Sequence, residues 1–309
     1  LDHNPSLGRG GKRALAVDVA AGSGQASLPL ASIFERVVAL DSCAEQLAAA
    51  KKRLAAAKNN GTKEDLRARV EFLEADAHAT GLPPGSADLV CVAQGLHWFD
   101  VPRFAAEAAR ILQPHGSLAA WSYGLASVAA VAGAGGGPRR GGGGADTDDD
   151  DEQERPAAPP PAASTPALSA GAGAADAADA AIRRFYESLL WDERRRHVDD
   201  GYARLLLELR GASAFGRVET KTLEMRSWRS VDELVGYVSS WSGTERLRAA
   251  RREVAAAKAK AEEEHEEEDV VAVFRRELVQ ALGGVEEASL ELVTPITLVL
   301  CCEPRPQKQ

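Results

Sequence analysis

No stretch of this chain is long and apolar enough to cross a bilayer, and its first residues lack the charged-then-apolar character of a secretory leader. The expectation is a cytoplasmic chain with no membrane partner. Cysteine is scarce: Cys43, Cys91, Cys301 and Cys302 are the four in 309 residues, and none forms a Cys-x-x-Cys pair. That spacing disfavours a structural zinc and suggests reduced thiols. Cys301 and Cys302, adjacent in sequence, are expected on opposite faces of a strand. His3, His78, His115, His197 and His265 are too scattered to suggest a metal site. Positive charge is also short, with 37 Lys and Arg against 46 Asp and Glu, a net charge of −9. This argues against a nucleic acid held by a broad basic surface, because phosphates need clustered Lys and Arg. What the chain does have is 45% hydrophobic residues, enough for a sizeable core in one large domain or two small ones.

The first part alternates strand and helix patterns. Ala14 to Val19 is a short apolar run closed by Ala20-Ala21-Gly22-Ser23-Gly24, and Gln25 to Phe34 is predicted helical, with Pro29 tolerated near its first turn. Arg36 to Leu40 reads as a second strand, and Ala44 to Lys58 as a helix stopped by Asn59-Asn60-Gly61. Val70 to Leu73, Ala87 to Ala93 and Ser117 to Tyr123 follow as strands, with a helix at Val101 to Leu112 whose Phe104, Ala108, Ile111 and Leu112 share one face. Strands separated by helices imply parallel pairing with helices on both faces.

From about Ala126 to Ala178 the composition turns to Ala, Gly, Pro and Asp. Such a stretch buries too little apolar surface to offset its ordering entropy, so a disordered low-complexity insertion is expected over 126–178. Beyond it, Ile182 to Trp191, Tyr202 to Leu209 and Phe274 to Leu282 are predicted helices, and Val218 to Trp228 a strand. Ser230 and Glu233 have capping-box spacing, Arg251 to Asp269 suits an exposed helix, and Leu290 to Cys302 closes the chain as a strand or strand pair. The organisation expected is a core over 1–125, the insertion, and helices and strands over 179–303 completing the same sheet.

Four segments lie where predicted strands end, which is where open parallel sheets bind ligands. The first is Val17-Asp18-Val19-Ala20-Ala21-Gly22-Ser23-Gly24-Gln25. Its small residues let a ligand approach the backbone, and a helix start offers N–H groups to an anion; a tight turn with no ligand is the competing reading. Asp41 ends the second strand, seventeen residues after Gly24, where a carboxylate can accept both hydroxyls of a ribose, or alternatively cap the next helix. Glu74-Ala75-Asp76-Ala77 follows the third strand; an acid there can face an adenine amino group with the Ala77 N–H toward a ring nitrogen, or be a solvated loop acid. Ala93-Gln94-Gly95-Leu96-His97-Trp98-Phe99-Asp100 follows the fourth. The conjunction outweighs any one segment.

These segments, followed by Ala109-Arg110-Ile111-Leu112-Gln113-Pro114-His115-Gly116, resemble successive motifs of the type 11 methyltransferase family of class I S-adenosylmethionine (SAM)-dependent enzymes. The Ala-Gln-x-x-His-Trp-Phe-Asp run is similar to the subgroup around trans-aconitate methyltransferase. So are Phe185-Tyr186, Leu190 to Arg195, Val198 to Tyr202, Gly236 to Ser242 and Thr294-Pro295-Ile296. The resemblance implies a doubly wound α/β, Rossmann-like fold with a mostly parallel seven-stranded sheet whose last strand is antiparallel. It implies SAM as cofactor, held by Asp18, Ala20, Gly22, Gly24, Gln25, Asp41, Asp76, Ala77 and Gln94, with no metal. It also implies a small-molecule acceptor, a carboxylic acid among the options. His97 would act as a base or orient the acceptor, or serve as a structural histidine. Trp98, Trp191 and Trp241 would wall the acceptor pocket, or simply pack in cores. Arg194 and Arg195 would attract an acidic acceptor, or make solvated ion pairs.

Two departures stand out. The family usually has Gly where this chain has Ala20, and the family's segment carrying Tyr and Arg before the first strand is almost wholly absent from the residues given, so a fragment or a processed form is the expectation. Methyl transfer from an activated sulfonium needs mainly proximity and alignment, worth roughly 7–11 kcal/mol. Two competing readings remain. An NAD-dependent oxidoreductase would need a third glycine where Ser27 stands. A non-catalytic SAM-binding protein would accommodate Ala20 and the acidic insertion.

Overall fold

Every residue of Leu15–Val19 is buried, as a parallel strand covered on both faces requires. The computed structural model describes residues 13–56, 66–133, 172–259 and 268–305. In chain order its elements are β1 (Leu15–Val19), α1 (Ser27–Ala31), β2 (Arg36–Asp41), α2 (Ala44–Ala56), β3 (Val70–Glu74), β4 (Ala87–Ala93), α3 (Val101–Ile111), β5 (Leu112–Tyr123) and β6 (Ser127–Ala132). There follow α4 (Ala172–Ser188), α5 (Arg196–Asp199), α6 (Ala203–Gly211), β7 (Phe215–Ser230), α7 (Val231–Ser239), α8 (Ser242–Ala259), α9 (Val270–Ala281) and β8 (Ser289–Pro304). Two compact units result, one of Leu1–Leu125, Asp192–Met225 and Thr294–Gln309, the other of Ala126–Trp191 and Arg226–Val293.

In the first unit the strands run in the order β3-β2-β1-β4-β5, all parallel, and the C-terminal part of β8 pairs antiparallel with β5 from Ser117↔Cys302 to Tyr123↔Ile296. Strand order reverses between β1 and β4, the switch point at which open sheets leave a crevice. One face of the sheet carries Val17, Val38, Val90, Phe104 and Leu118, each at most 1% exposed, together with Tyr202 and Leu209. The opposite face gathers Ala16, Phe34, Val37, Leu89 and Cys91. Burying side chains of this size contributes about 1.5–3 kcal/mol for each large one. Helix α3 begins where the sequence allows it: Asp100 accepts the Arg103 N–H at 3.1 Å, and Pro102 lies in the first turn, where its missing donor costs nothing. Buried Glu107 on the same helix accepts the Thr80 N–H at 2.8 Å and is clasped by Arg110, so the chain between β3 and β4 is tied to α3.

In the second unit β6 pairs antiparallel with the start of β8, from Ser127↔Val293 to Ala132↔Ser289. Phe185 of α4 stacks on Phe274 of α9 at 4.5 Å. Ser230 and Glu233 close a reciprocal capping box on α7, as their spacing predicts. A cavity of about 250 Å³ is lined by Phe185, Leu247, Val270, Phe274, Arg184 and Glu277 among others; no site residue expected from the sequence lines it.

The α/β, mostly parallel fold with an antiparallel last strand is as expected, but the sheet has eight strands rather than seven. One cause is β6: Ser127–Ala132 lies inside the stretch assigned to disorder, yet its Val128 and Val131 zip onto β8. Helix α4 likewise starts at Ala172, because an alanine-rich run loses little on becoming helical once Ala178, Ala181 and Ile182 are buried. Residues 134–171 of the expected insertion lie outside the described residues. The helix expected from Gln25 to Phe34 shrinks to five residues: Ala26 supplies no side-chain cap, and the chain turns at Ser32 ahead of β2. Helix α8 begins at Ser242 rather than Arg251. The cysteines are all free, and Cys301 is buried while Cys302 is half-buried, as alternation on a strand requires. Among the described residues no helix is long and apolar enough to cross a membrane, and no group of three or more His, Cys, Asp or Glu is placed to hold a metal.

Candidate active site

The carboxyl ends of β1, β2 and β4 bring three of the expected segments together. Asp41 closes β2, and its Oδ2 accepts the Gly22 N–H at 2.8 Å while its Oδ1 accepts the Cys43 N–H at 2.9 Å. One half-buried carboxylate thus pins the glycine bend after β1 and starts the turn into α2. Both Gly22 (φ +53°) and Gly24 (φ +74°) adopt the left-handed conformation that glycine tolerates best. A Cβ on Gly24 would meet Ala50 Cβ of α2 at 3.1 Å, so that glycine serves packing. A Cβ on Gly22 would make only an ordinary contact, with Gln46 Oε1 at 3.8 Å.

The neighbouring loops carry strain. Ala20 (φ +54°) after β1 and Gln94 (φ +58°) after β4 both hold left-handed backbones without being glycine. Such residues cost about 1–3 kcal/mol each and cluster at functional sites. The Ala20 methyl fits because Gly95 has no side chain: a Cβ there would sit 2.9 Å from Ala20 Cβ. Gln94 reaches the Tyr123 carbonyl through Nε2, while its Oε1 is buried with no hydrogen-bond partner among the described residues. A buried acceptor with no donor calls for a ligand or an ordered water.

Asp18 behaves otherwise than expected. It is 0% exposed, accepts from Ser27 Oγ at 2.7 Å and faces the Cys91 thiol at 3.6 Å. Burial raises its pKa to about 6, the Ser27 hydrogen bond opposing. The carboxylate supports the loop from beneath and presents no oxygen to a ligand directly. The bend's own amides are also engaged: Ala21 N–H bonds the Leu40 carbonyl and Gly24 N–H the Ala21 carbonyl. The helix that follows the bend, α1, is only five residues long. Gln25 is exposed.

After β3, exposed Asp76 turns its Oδ1 to the backbone N–H and ring Nδ1 of His78, at 2.9 and 2.7 Å, which hold the carboxyl below its usual range. His78 Nε2 in turn accepts the Asp100 N–H at 3.1 Å. The ring therefore carries its proton on Nδ1 and links the Asp76-Ala77 loop to the start of α3. His78 went unnoticed as a site residue, although Asp76-x-His78 is the short-range spacing for such a turn.

The segment after β4 makes a 3₁₀ turn over Leu96–Trp98 that buries His97 and leaves Trp98 45% exposed. The rings of His97 and Trp98 lie 5.1 Å apart, and the Arg194 guanidinium sits 5.4 Å over the Trp98 ring. His97 Nδ1 meets the Tyr202 hydroxyl at 3.3 Å. Burial pushes the His97 pKa down to about 4, and Arg195, His197 and Arg194 push the same way against Asp192. His97 is therefore neutral at pH 7. Arg195 pairs with Asp199 at 3.5 Å. His197 Nδ1 is the other buried side-chain atom without a partner among the described residues.

Trp191 and Trp241 belong to the second unit. They lie 5.9 Å apart in an aromatic cluster with Tyr186 and Tyr237, and Trp191 Nε1–H bonds the Tyr186 carbonyl. The observed role of both is packing.

Residues 17–120 match the family model described as a methyltransferase domain. They form a class I SAM-dependent methyltransferase domain. A protein of Dictyostelium discoideum provisionally named as a methyltransferase is 29% identical over 75% of this chain and 65% of its own length. A methyltransferase of Aspergillus terreus is 36% identical over 40% of this chain and 34% of its own. The chain thus spans under two thirds of each of these relatives. A solved structure from Anaeromyxobacter dehalogenans, described provisionally as a type II methyltransferase, superposes with a TM-score of 0.59 at 27% identity, covering 95% of this chain and 92% of that one. SAM is the cofactor of the methyltransferase domain.

Proposed function

We propose that the whole protein is an active SAM-dependent methyltransferase whose acceptor is a small molecule, with a carboxylic acid of the trans-aconitate type as the leading class. One observation carries the reading: Asp41 is bonded to Gly22 at the same sheet edge where Gln94 Oε1 lacks a donor. On this reading Asp41 takes the ribose, the Gly22 bend and Gln94 take the amino-acid end, and Ala77 lies on the adenine side with Asp76 held by His78. When bound, SAM supplies a methyl group on a sulfonium, already activated for transfer. The chain's own work is alignment and exclusion of water. Arg194 and Arg195, near His97 and Trp98, favour an anionic acceptor there.

Titration calorimetry with SAM and NADH tests the cofactor, and binding of NADH without SAM would overturn the reading. Labelled SAM with a panel of small carboxylic acids tests turnover. A second reading, a SAM-binding protein without transfer, draws on the Ala20 methyl beside Gly95 at the mouth of the bend. Tight SAM binding with no transfer to any acceptor tried would favour it.

A further inference from the structure

We infer that Tyr202 fixes His97 as the Nε2–H tautomer, so that His97 meets the acceptor as a hydrogen-bond donor and not as a general base. The argument is one of satisfaction. Tyr202 is 0% exposed and opens α6 from a left-handed backbone, φ +64°, so its phenol is held and cannot reach water. The phenol's own proton needs an acceptor, and His97 Nδ1 at 3.3 Å is the one present among the described residues. Were Nδ1 to carry the imidazole proton, two donors would face each other and the buried O–H would be orphaned. A neutral imidazole whose Nδ1 accepts must hold its hydrogen on Nε2.

His97 Nε2 has no partner among the described residues. Arg194, Arg195, His197 and Asp192 surround the ring electrostatically, and the two arginines and His197 disfavour a second proton on it. His97 then has a hydrogen to give and no vacant lone pair for a proton. The acceptor it serves reaches the site with its attacking atom already free of a proton. Tyr202 is on this account a positioning residue, acting through His97.

The inference rests on the methyltransferase reading for its relevance, but its test does not. The full chain with ¹⁵N-labelled histidine is studied by NMR near neutral pH, and the His97 signals are assigned by their loss in His97→Gln. The expected result is a pyridine-type shift at Nδ1 and a pyrrole-type shift at Nε2. Tyr202→Phe should move both toward the averaged values of a tautomer mixture, while SAM affinity by calorimetry changes less than twofold. A proton on Nδ1 in the wild-type protein overturns the inference, as does a tautomer indifferent to Tyr202→Phe. Should that variant not fold, the wild-type spectrum alone decides. Absence of SAM binding would overturn the proposed function and leave the tautomer result standing.

Discussion

Gly22 donates its N–H to Asp41 Oδ2 over 2.8 Å, joining the ends of two neighbouring strands through one side chain. The bond fixes the carboxylate and the glycine bend in a single geometry before any ligand arrives, and such preorganisation spares a binding site the cost of ordering. Asp41→Ala removes the ribose acceptor and frees the bend. SAM affinity should fall by about 1–3 kcal/mol, the range for stranding polar partners. Asp41→Asn keeps one carbonyl oxygen for Gly22 or Cys43 and should lose less. Calorimetry gives both numbers, and an unchanged dissociation constant in Asp41→Ala would sink the ribose assignment.

Asp18 and His97 give opposite pH signatures to stability. The Asp18 pKa rises from 3.8 to about 6 in the folded protein. Between those values the native state binds more protons than the unfolded one, so stability falls as pH rises through the window. By pH 7 the buried charge costs about 3 kcal/mol. The His97 pKa instead falls from 6.5 to about 4, so the unfolded state binds more protons between those values and stability rises with pH. The two trends oppose each other over most of pH 4 to 6. Asp18→Asn, which preserves an acceptor for Ser27, should leave the rising trend and stabilise the protein at pH 7. His97→Gln should leave the falling one. Urea unfolding at several pH values measures both slopes, and an Asp18→Asn slope equal to wild type would refute the assignment.

Glu107 presents a different kind of buried acid. Its pKa lies below the usual range because the bonds from Arg110 and Thr80 outweigh desolvation. Glu107→Ala strands the buried Thr80 amide, and about 1–3 kcal/mol of stability should go, while Arg110 keeps its bond to the Leu82 carbonyl. Glu107→Gln should be milder. A thermal midpoint unchanged in Glu107→Ala would show that water replaces the carboxylate, against the geometry seen here.

What was legible in the sequence followed periodicity and punctuation. The strands β1, β2, β4 and β5 are apolar runs, and their order puts Gly22, Asp41 and Gln94 at one edge without reference to side chains. The capping box on α7 was equally local. What stayed hidden was long-range or fine-grained. Ser127–Ala132 is a strand because β8, more than 150 residues on, supplies its partner. Asp18 resembles a ligand residue in sequence, yet Ser27 and Cys91 absorb its oxygens only once the fold brings them together. Tyr202 lies 105 positions from His97, a distance no local pattern spans.

Ala20 and Gly95 should behave as a coupled pair. Gly95 has an ordinary backbone, φ −117°, so alanine there carries no conformational penalty of its own. Its Cβ would nonetheless lie 2.9 Å from Ala20 Cβ and 3.0 Å from Val92 Cγ1. Overpacking of that kind costs about 1–3 kcal/mol, so Gly95→Ala should destabilise. Ala20→Gly removes one of the two clashing atoms and relieves a left-handed alanine worth about 1–2 kcal/mol, offset in part by the entropy glycine gains on unfolding. The single variant should thus be neutral to mildly stabilising, and the double variant should recover part of the Gly95→Ala loss. A coupling energy of about 0.5–3 kcal/mol in the four-protein cycle is expected for side chains in contact. Strict additivity would mean that the two loops do not touch in solution. The same cycle with SAM affinity as readout separates packing from cofactor: if the Ala20 methyl crowds the amino-acid end of SAM, Ala20→Gly tightens binding beyond any gain in stability.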